Sequence, residues 1–272
     1  MSRIWILGAQ DPEMVAINQI LMEEDEQIVY ATLDGQRVHA GNAYYANGTS
    51  SPIASDSCCL LVECVVFKLK CSKLHRVGHH VPEEPGWNQK PEHYFDASSI
   101  GQVIRLLRSF DKFVEVTTEH MMVAASDHCL SAAYRGECPG VDPDKLMDWR
   151  ITSRASYQRR SATALMNDVN RARDTLKKQK RVWIRGSDNH RYEVAYFGNT
   201  TIPELPEAAA REGIPFIAMV TDAGGRRKYV LSCAPPALVE RWIQQMWSWC
   251  HEVYGDPMRG FAGAYPEPAR RK

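Results

Sequence analysis

Five polar side chains stand at the ends of apolar runs or inside them: Asp11, Glu63, His79, His80 and Asp127. Carboxylates and imidazoles drawn from four separated segments make an inventory for a metal site. Mixed oxygen and nitrogen donors suit hard-to-borderline divalent ions such as Mn²⁺ or Mg²⁺, and two such ions can activate water against a phosphate ester. Each residue also has a plainer role. Asp11, just before Pro12, has the type and place of a helix N-cap. Glu63 in an apolar run needs a partner, or a strand that ends before it. Asp127 and His128, set among apolar neighbours, fit a hydrogen-bonded structural pair as well as a ligand pair. A zinc arrangement through Cys71, His75 and His79 matches no finger spacing and lacks a fourth ligand.

The elements that must position these groups follow from periodicity. An apolar run at 4–7 enters the turn Gly8-Ala9-Gln10-Asp11-Pro12, and Met14, Ile17, Ile20 and Leu21 then recur at helical spacing, which predicts strand, loop and helix. A second strand is expected at 28–32, followed by a long polar and aromatic loop at 39–47 that could line a cleft. The run 60–67 reads as a strand buried on both faces. Val77 ends a short strand pattern, and the breakers Pro82, Pro85 and Gly86 follow the histidines. Asp96, Ser98 and Ser99 are capping types ahead of a helix at about 97–110, whose apolar positions include Ile100, Val103, Ile104 and Leu107. A buried helix is expected at 121–134.

From 144 to 180 the pattern is helical and strongly charged. Its cations, Arg150, Arg154, Arg159, Arg160, Arg171, Arg173, Lys177, Lys178 and Lys180, form a solvated face or border an anionic-substrate cleft. Short strand patterns at 182–184, 192–197, 216–220 and 228–231 then alternate with turns, and an amphipathic helix at 236–253 carries Trp242, Trp247 and Trp249. The stretch 254–265 is glycine-rich and holds Arg259, so its amides could approach a phosphate.

Zero formal net charge over 272 residues excludes a whole-molecule field that would attract long duplex DNA. No apolar run approaches the roughly 20 residues needed to span a bilayer, and no signal-peptide pattern opens the chain, so a cytoplasmic protein with no membrane partner is expected. The eight cysteines include an adjacent pair and members of apolar runs, which reads as small buried thiols rather than a disulfide framework.

The order of these motifs resembles the DHH phosphoesterase superfamily, which includes RecJ-type exonucleases, family-II pyrophosphatases and small-nucleotide phosphodiesterases. The carrying residues are His79-His80, the turn from Pro82 to Gly86, and Ala97-Ser98-Ser99-Ile100-Gly101-Gln102. Asp11 falls where the first acidic motif follows strand one, Glu63 where a later strand delivers an Asp, and Asp127 one helix after the serine motif. The resemblance covers roughly residues 1–135, and the 255–265 stretch is more weakly similar to a glycine-rich substrate loop.

What this implies is an α/β protein with a parallel-sheet metal and phosphoesterase domain at 1–135, a helical connector at 136–180 and a smaller α+β domain at 181–272. Metal would be held by Asp11, Glu63, His79 and Asp127, with His79 and His80 catalytic. Ser98, Ser99, Arg259, Gly260 and Gly263 would bind the substrate's phosphate. The expected activity is hydrolysis of a small nucleotide or short oligonucleotide.

Three departures bear on activity. Gly78 stands in the place of the family's first Asp, the first motif has Gln10-Asp11-Pro12 where a His and two Asp are expected, and Glu63 replaces an Asp. Fewer carboxylates weaken cation binding directly and through lost support of His79, which leaves open one metal, a different metal, or none. The rival reading is a catalytically degenerate relative that binds a nucleotide or serves in an assembly, and self-association into a homo-oligomer stays open under both.

Overall fold

The structure, a computed structural model, describes residues 2–222 and 225–267. The chain divides into two compact units, one ending at His128 and one beginning at Cys129.

In the first unit the elements are β1 (Arg3–Leu7), α1 (Pro12–Glu23), β2 (Ile28–Leu33), β3 (Gln36–Arg37), β4 (Gly48–Thr49), β5 (Cys58–Val62), β6 (Lys73–Val77), α2 (Tyr94–Ala97), α3 (Ser99–Ser109) and α4 (Thr118–His128). The sheet runs β3-β2-β1-β5-β6, with β4 also paired to β2. Its core is parallel: β1 pairs in parallel with β2 and β5, and β5 with β6. Only the short β3 and β4 run antiparallel.

Period-2 alternation explains the two buried faces. Ile4, Ile6, Val29, Ala31, Cys59 and Leu61 pack on one face against Val38, Ala43, Ala46 and Val66. The long loop thus lies over the sheet. Trp5, Leu7 and Leu60, at the alternate positions, are fully buried, as are Ile17 and Leu21 of α1 and Ile100, Ile104 and Leu107 of α3. Each such side chain contributes roughly 1.5–3 kcal/mol of burial.

The second unit holds α5 (Leu130–Tyr134), α6 (Pro143–Tyr157), α7 (Ala162–Lys178), β7 (Arg181–Arg185), β8 (Arg191–Asn199), α8 (Leu205–Glu212), β9 (Phe216–Thr221), β10 (Arg227–Ser232), α9 (Pro236–Met246), β11 (Glu252–Asp256) and β12 (Phe261–Tyr265). The sheet order is β11-β12-β10-β9-β8-β7. All its pairings are antiparallel except β8 with β9. The architecture is mixed α/β in both units, and among the described residues no helix is long and apolar enough to cross a membrane.

Four boundaries differ from the sequence reading. The strand expected at 60–67 runs from Cys58 to Val62. It stops because Glu63 adopts a left-handed backbone, φ 49°. The helix expected at 121–134 is broken at Cys129, whose φ −152° and ψ 55° are not helical. The final helix ends at Met246 rather than 253, leaving Trp242 buried and Trp247 and Trp249 exposed. The glycine-rich stretch near the end is a hairpin of β11 and β12, whose turn amides at 258–260 bond to Asp256.

The cations of 150–177 are largely matched within their own unit. Arg150, Arg154 and Arg211 converge on Glu207, and Arg154 also holds Glu204 at 2.7 Å. Arg160 and Arg171 share Asp168, and Arg173 and Lys177 share Glu212.

Candidate metal centre

Three strand ends and one helix end deliver the polar groups of the first unit. Parallel strands place such groups beyond their carboxyl ends, where backbone turns leave room for a ligand. After β1, Gly8 lets the chain pass Glu63 closely: a Cβ there would lie 3.0 Å from the Val62 carbonyl and collide with that of Glu63. Asp11 then caps α1, accepting from the Met14 amide at 2.7 Å. After β5, Glu63 donates its amide to the Val77 carbonyl at 2.9 Å and is buried, the residue 5% exposed. After β6 come Gly78, His79 and His80.

One donor atom each from Glu63, His79, His80 and Asp127 lies within 4.8 Å of all the others. His79 Nε2 is 2.9 Å from Asp127 Oδ2 and 3.3 Å from Glu63 Oε1, and His80 Nε2 is 3.2 Å from the same Glu63 oxygen. His79 and Glu63 form a buried floor, whereas the side chains of His80 and Asp127 are 31% and 29% exposed. The open side of the site is therefore His80 and Asp127.

Glu13 is a fifth member that the sequence reading passes over. Its Oε2 lies 4.0 Å from His79 Nε2, is buried, and has no hydrogen-bond partner among the described residues. Its other oxygen accepts from the Ile100 amide at 3.0 Å. The signal was present: Glu13 stands four residues before Ile17 and eight before Leu21, on the buried stripe of α1.

The start of α3 sets the site's second layer. Ser98 Oγ caps the Gly101 amide at 3.1 Å and donates to the Phe95 carbonyl at 2.8 Å. Ser99 Oγ donates to Glu63 Oε1 at 2.6 Å. With the Ile100 amide on Glu13, two carboxylates sit at the positive end of this helix. Asp127 has the opposite placement. It lies in the last turn of α4, where the helix dipole disfavours a negative charge.

His128 sets the orientation of His79. The two Nδ1 atoms are 2.9 Å apart, and His128 Nε2 is 3.3 Å from the Gln89 carbonyl. A carbonyl only accepts, so a neutral His128 donates from Nε2 and accepts at Nδ1. A neutral His79 then donates from Nδ1 and turns its Nε2 lone pair toward three carboxylates, the state that a cation between them would stabilise. With no cation, a proton at Nε2 makes the bonds to Asp127 and Glu63.

The charges agree. Burial, then the charges of Glu63 and Asp127, push the Asp11 carboxyl up to about 8. Burial, then Asp127 and Glu63, hold Glu13 well above the carboxylate range. Burial opposes the charge on Glu63 as well, but the His80 charge and hydrogen bonds from both histidines hold it well below that range. Four clustered carboxylates against two imidazoles cannot all ionise unless positive charge is supplied. The unpartnered Glu13 oxygen and this excess of oxygen donors fit a hard divalent cation.

Five further residues are expected at the substrate's phosphate. Ser98 and Ser99 are fully buried with their hydroxyls engaged. Arg259, Gly260 and Gly263 belong to the hairpin of the second unit. The amides of Met258 and Arg259 bond to Asp256 Oδ1 at 2.9 and 3.1 Å, and that of Gly260 to its carbonyl at 3.0 Å. The Arg259 guanidinium lies 5.1 Å over the Phe261 ring. Gly263 is a ladder residue of β12, paired with Val230 and Tyr254. Cys71 and His75 are not among the residues that converge on His79.

No family model matches the sequence, and neither does any curated protein. Among solved structures, the chain is similar to a pGpG-specific phosphodiesterase, PggH, from Vibrio cholerae, at 8% identity and a TM-score of 0.37, over 97% of this chain and 92% of that one.

Proposed function

We propose that this chain is a metal-dependent phosphoesterase that hydrolyses a small nucleotide or short oligonucleotide. The observation that carries the reading is the convergence of Glu63, His79, His80 and Asp127, whose donor atoms lie within 4.8 Å of one another. Glu63, His79 and Asp127 would hold the ion, with His80 at the rim and Asp11 and Glu13 adding negative charge beside it. A bound divalent ion such as Mn²⁺ or Mg²⁺ supplies charge to the phosphoryl oxygens and makes water a nucleophile near neutral pH.

The chain's own groups do the rest. Ser99 and the Ile100 amide fix the Glu63 and Glu13 carboxylates, and His128 fixes His79. Fixed donors cost no reorganisation when charge develops on the phosphate. His80 is the exposed imidazole, and a proton at its Nε2, held 3.2 Å from Glu63, is the one within reach of a substrate oxygen entering from solvent. The nucleotide class follows from the DHH resemblance of the histidine and serine motifs. Zero net charge supports a short substrate over a long polyanion.

The test is isothermal titration with Mn²⁺ and Mg²⁺, followed by assay of dinucleotides, cyclic dinucleotides and mononucleotides with each ion. The reading expects stoichiometric Mn²⁺ binding that Glu63→Gln with Asp127→Asn removes, together with turnover of one nucleotide class. A protein that binds neither ion, or that binds nucleotides without turnover and equally well in chelator, contradicts it; the second outcome is that of the degenerate relative.

A further inference from the structure

Gly78 precedes the histidine pair, and the space where its side chain would stand is already filled. A Cβ at 78 would lie 2.5 Å from each carboxylate oxygen of Glu84. The backbone of Gly78 cannot retreat, because Gln102 grips both its sides: the Gly78 amide donates to Oε1 at 3.2 Å, and Nε2 donates to the Gly78 carbonyl at 2.9 Å. The Gly86 amide donates to that carbonyl as well, at 3.0 Å, closing the loop of 79–85 back onto its start.

Glu84 is 5% exposed, and its carboxylate accepts from the His80 amide at 2.6 Å, the Val81 amide at 3.4 Å and the Tyr44 hydroxyl at 2.7 Å. The Tyr44 ring stands edge-on to the His80 ring, centroids 6.5 Å apart. Glu83, its neighbour in sequence, is exposed. One carboxylate thus holds the backbone of His80 and the aromatic ring that flanks it.

We infer that Glu84 is a positioning residue for His80, and that its carboxylate takes from the loop the place a side chain at residue 78 would occupy, so that Gly78 and Glu84 form an exchangeable pair. The inference rests on reading the histidine pair as a metal site. Gly78 is then no lost function. It is the residue type that admits Glu84 and suits the backbone φ of 158° there, and the collision of a carboxylate at 78 is relieved only when Glu84 is shortened.

The experiment compares wild type, Glu84→Gln, Gly78→Asp and the double variant Gly78→Asp with Glu84→Ala. In chelator, the melting temperature and the ¹⁵N shifts of the His80 and His128 rings are measured. Gly78→Asp alone is expected to melt lower, and the double variant to recover the part of that loss due to the Glu84 collision, leaving the strain of a side chain at φ 158°. Glu84→Gln, nearly isosteric, is expected to move the His80 ring resonances and leave those of His128 in place. With Mn²⁺, Glu84→Gln should lower kcat more than Mn²⁺ affinity, because His80 stands at the rim, and the double variant should bind within about tenfold of wild type, the lower end of the range for groups that support a metal site. A wild type that binds no Mn²⁺ ends the metal reading, and the chelator measurements still decide the pair. Unmoved His80 resonances in Glu84→Gln, or a double variant no better than Gly78→Asp, overturn the inference.

Discussion

Glu13 shows how a single atom can carry chemical meaning. A buried carboxylate oxygen with no hydrogen-bond partner, 4.0 Å from an imidazole nitrogen, is costly unless it is protonated or faces a cation. Glu13→Gln should therefore weaken Mn²⁺ binding about 10–100-fold, the range for groups that support a metal site, read by titration calorimetry, while the metal-free protein melts no lower than wild type. Asp11 and Glu13 also fix a pH dependence. Their folded values lie above the unfolded ones, so the folded state binds more protons between them, and stability falls as pH rises. Metal-free protein should lose melting temperature steadily from pH 5 to the Asp11 value of about 8, and saturating Mn²⁺ should flatten that slope. A metal-free melting temperature that rises across this window contradicts the assigned shifts.

At the scale of the element, the first turn of α3 is a single device with separable parts. Ser98 caps the helix and Ser99 holds Glu63. Ser98→Ala should cost about 1 kcal/mol of stability, measured by urea unfolding with chelator, with metal affinity altered only slightly. Ser99→Ala should weaken metal binding more than it lowers stability. An equal loss of both properties in the two variants would mean that the turn acts only as packing. The end of α4 supplies the complement: Asp127 sits against the helix dipole, and the helix stops within one residue of His128 because Cys129 leaves the helical region.

At the scale of the whole molecule, two units carry two different polar centres. The first gathers carboxylates in excess of imidazoles at a cluster that could hold a metal ion. The second balances its charges internally: Glu207, buried against Arg150, Arg154 and Arg211 and bonded by the Tyr134 hydroxyl, is held down to about 2 because those partners outweigh its burial. Glu207→Ala leaves buried guanidinium groups unmatched and should destabilise the protein by roughly 3–5 kcal/mol. Denaturant unfolding checks the loss, and Mn²⁺ affinity of the folded fraction should be unchanged. Of the cations that the sequence leaves open as a substrate border, Arg150 and Arg154 of α6 are counter-charges of this centre, while Arg171, Arg173 and Lys177 of α7 pair with Asp168 and Glu212.

The sequence by itself determined the order of the main strands and helices of the first unit, without the short β3 and β4, and the polar stations Glu63, His79, His80 and Asp127 with the serine-capped helix beside them. These are local properties: apolar periodicity, capping types and breakers act over a few residues. Asp11, expected as a ligand, is not in the group that converges. Glu13 was also legible, as a carboxylate on an apolar helix stripe, but Asp11 two residues earlier drew the assignment because a cap and a ligand share one residue type. Only tertiary structure decided which of Glu83 and Glu84 turns inward, that Glu84 fills the space beside Gly78, and that Ser99 donates to Glu63 while His128 meets His79. Those contacts join residues tens of positions apart, and no local pattern encodes a distance between two loops. The parallel sheet brings the strand ends together, and with them the carboxylates and imidazoles that could hold a metal ion.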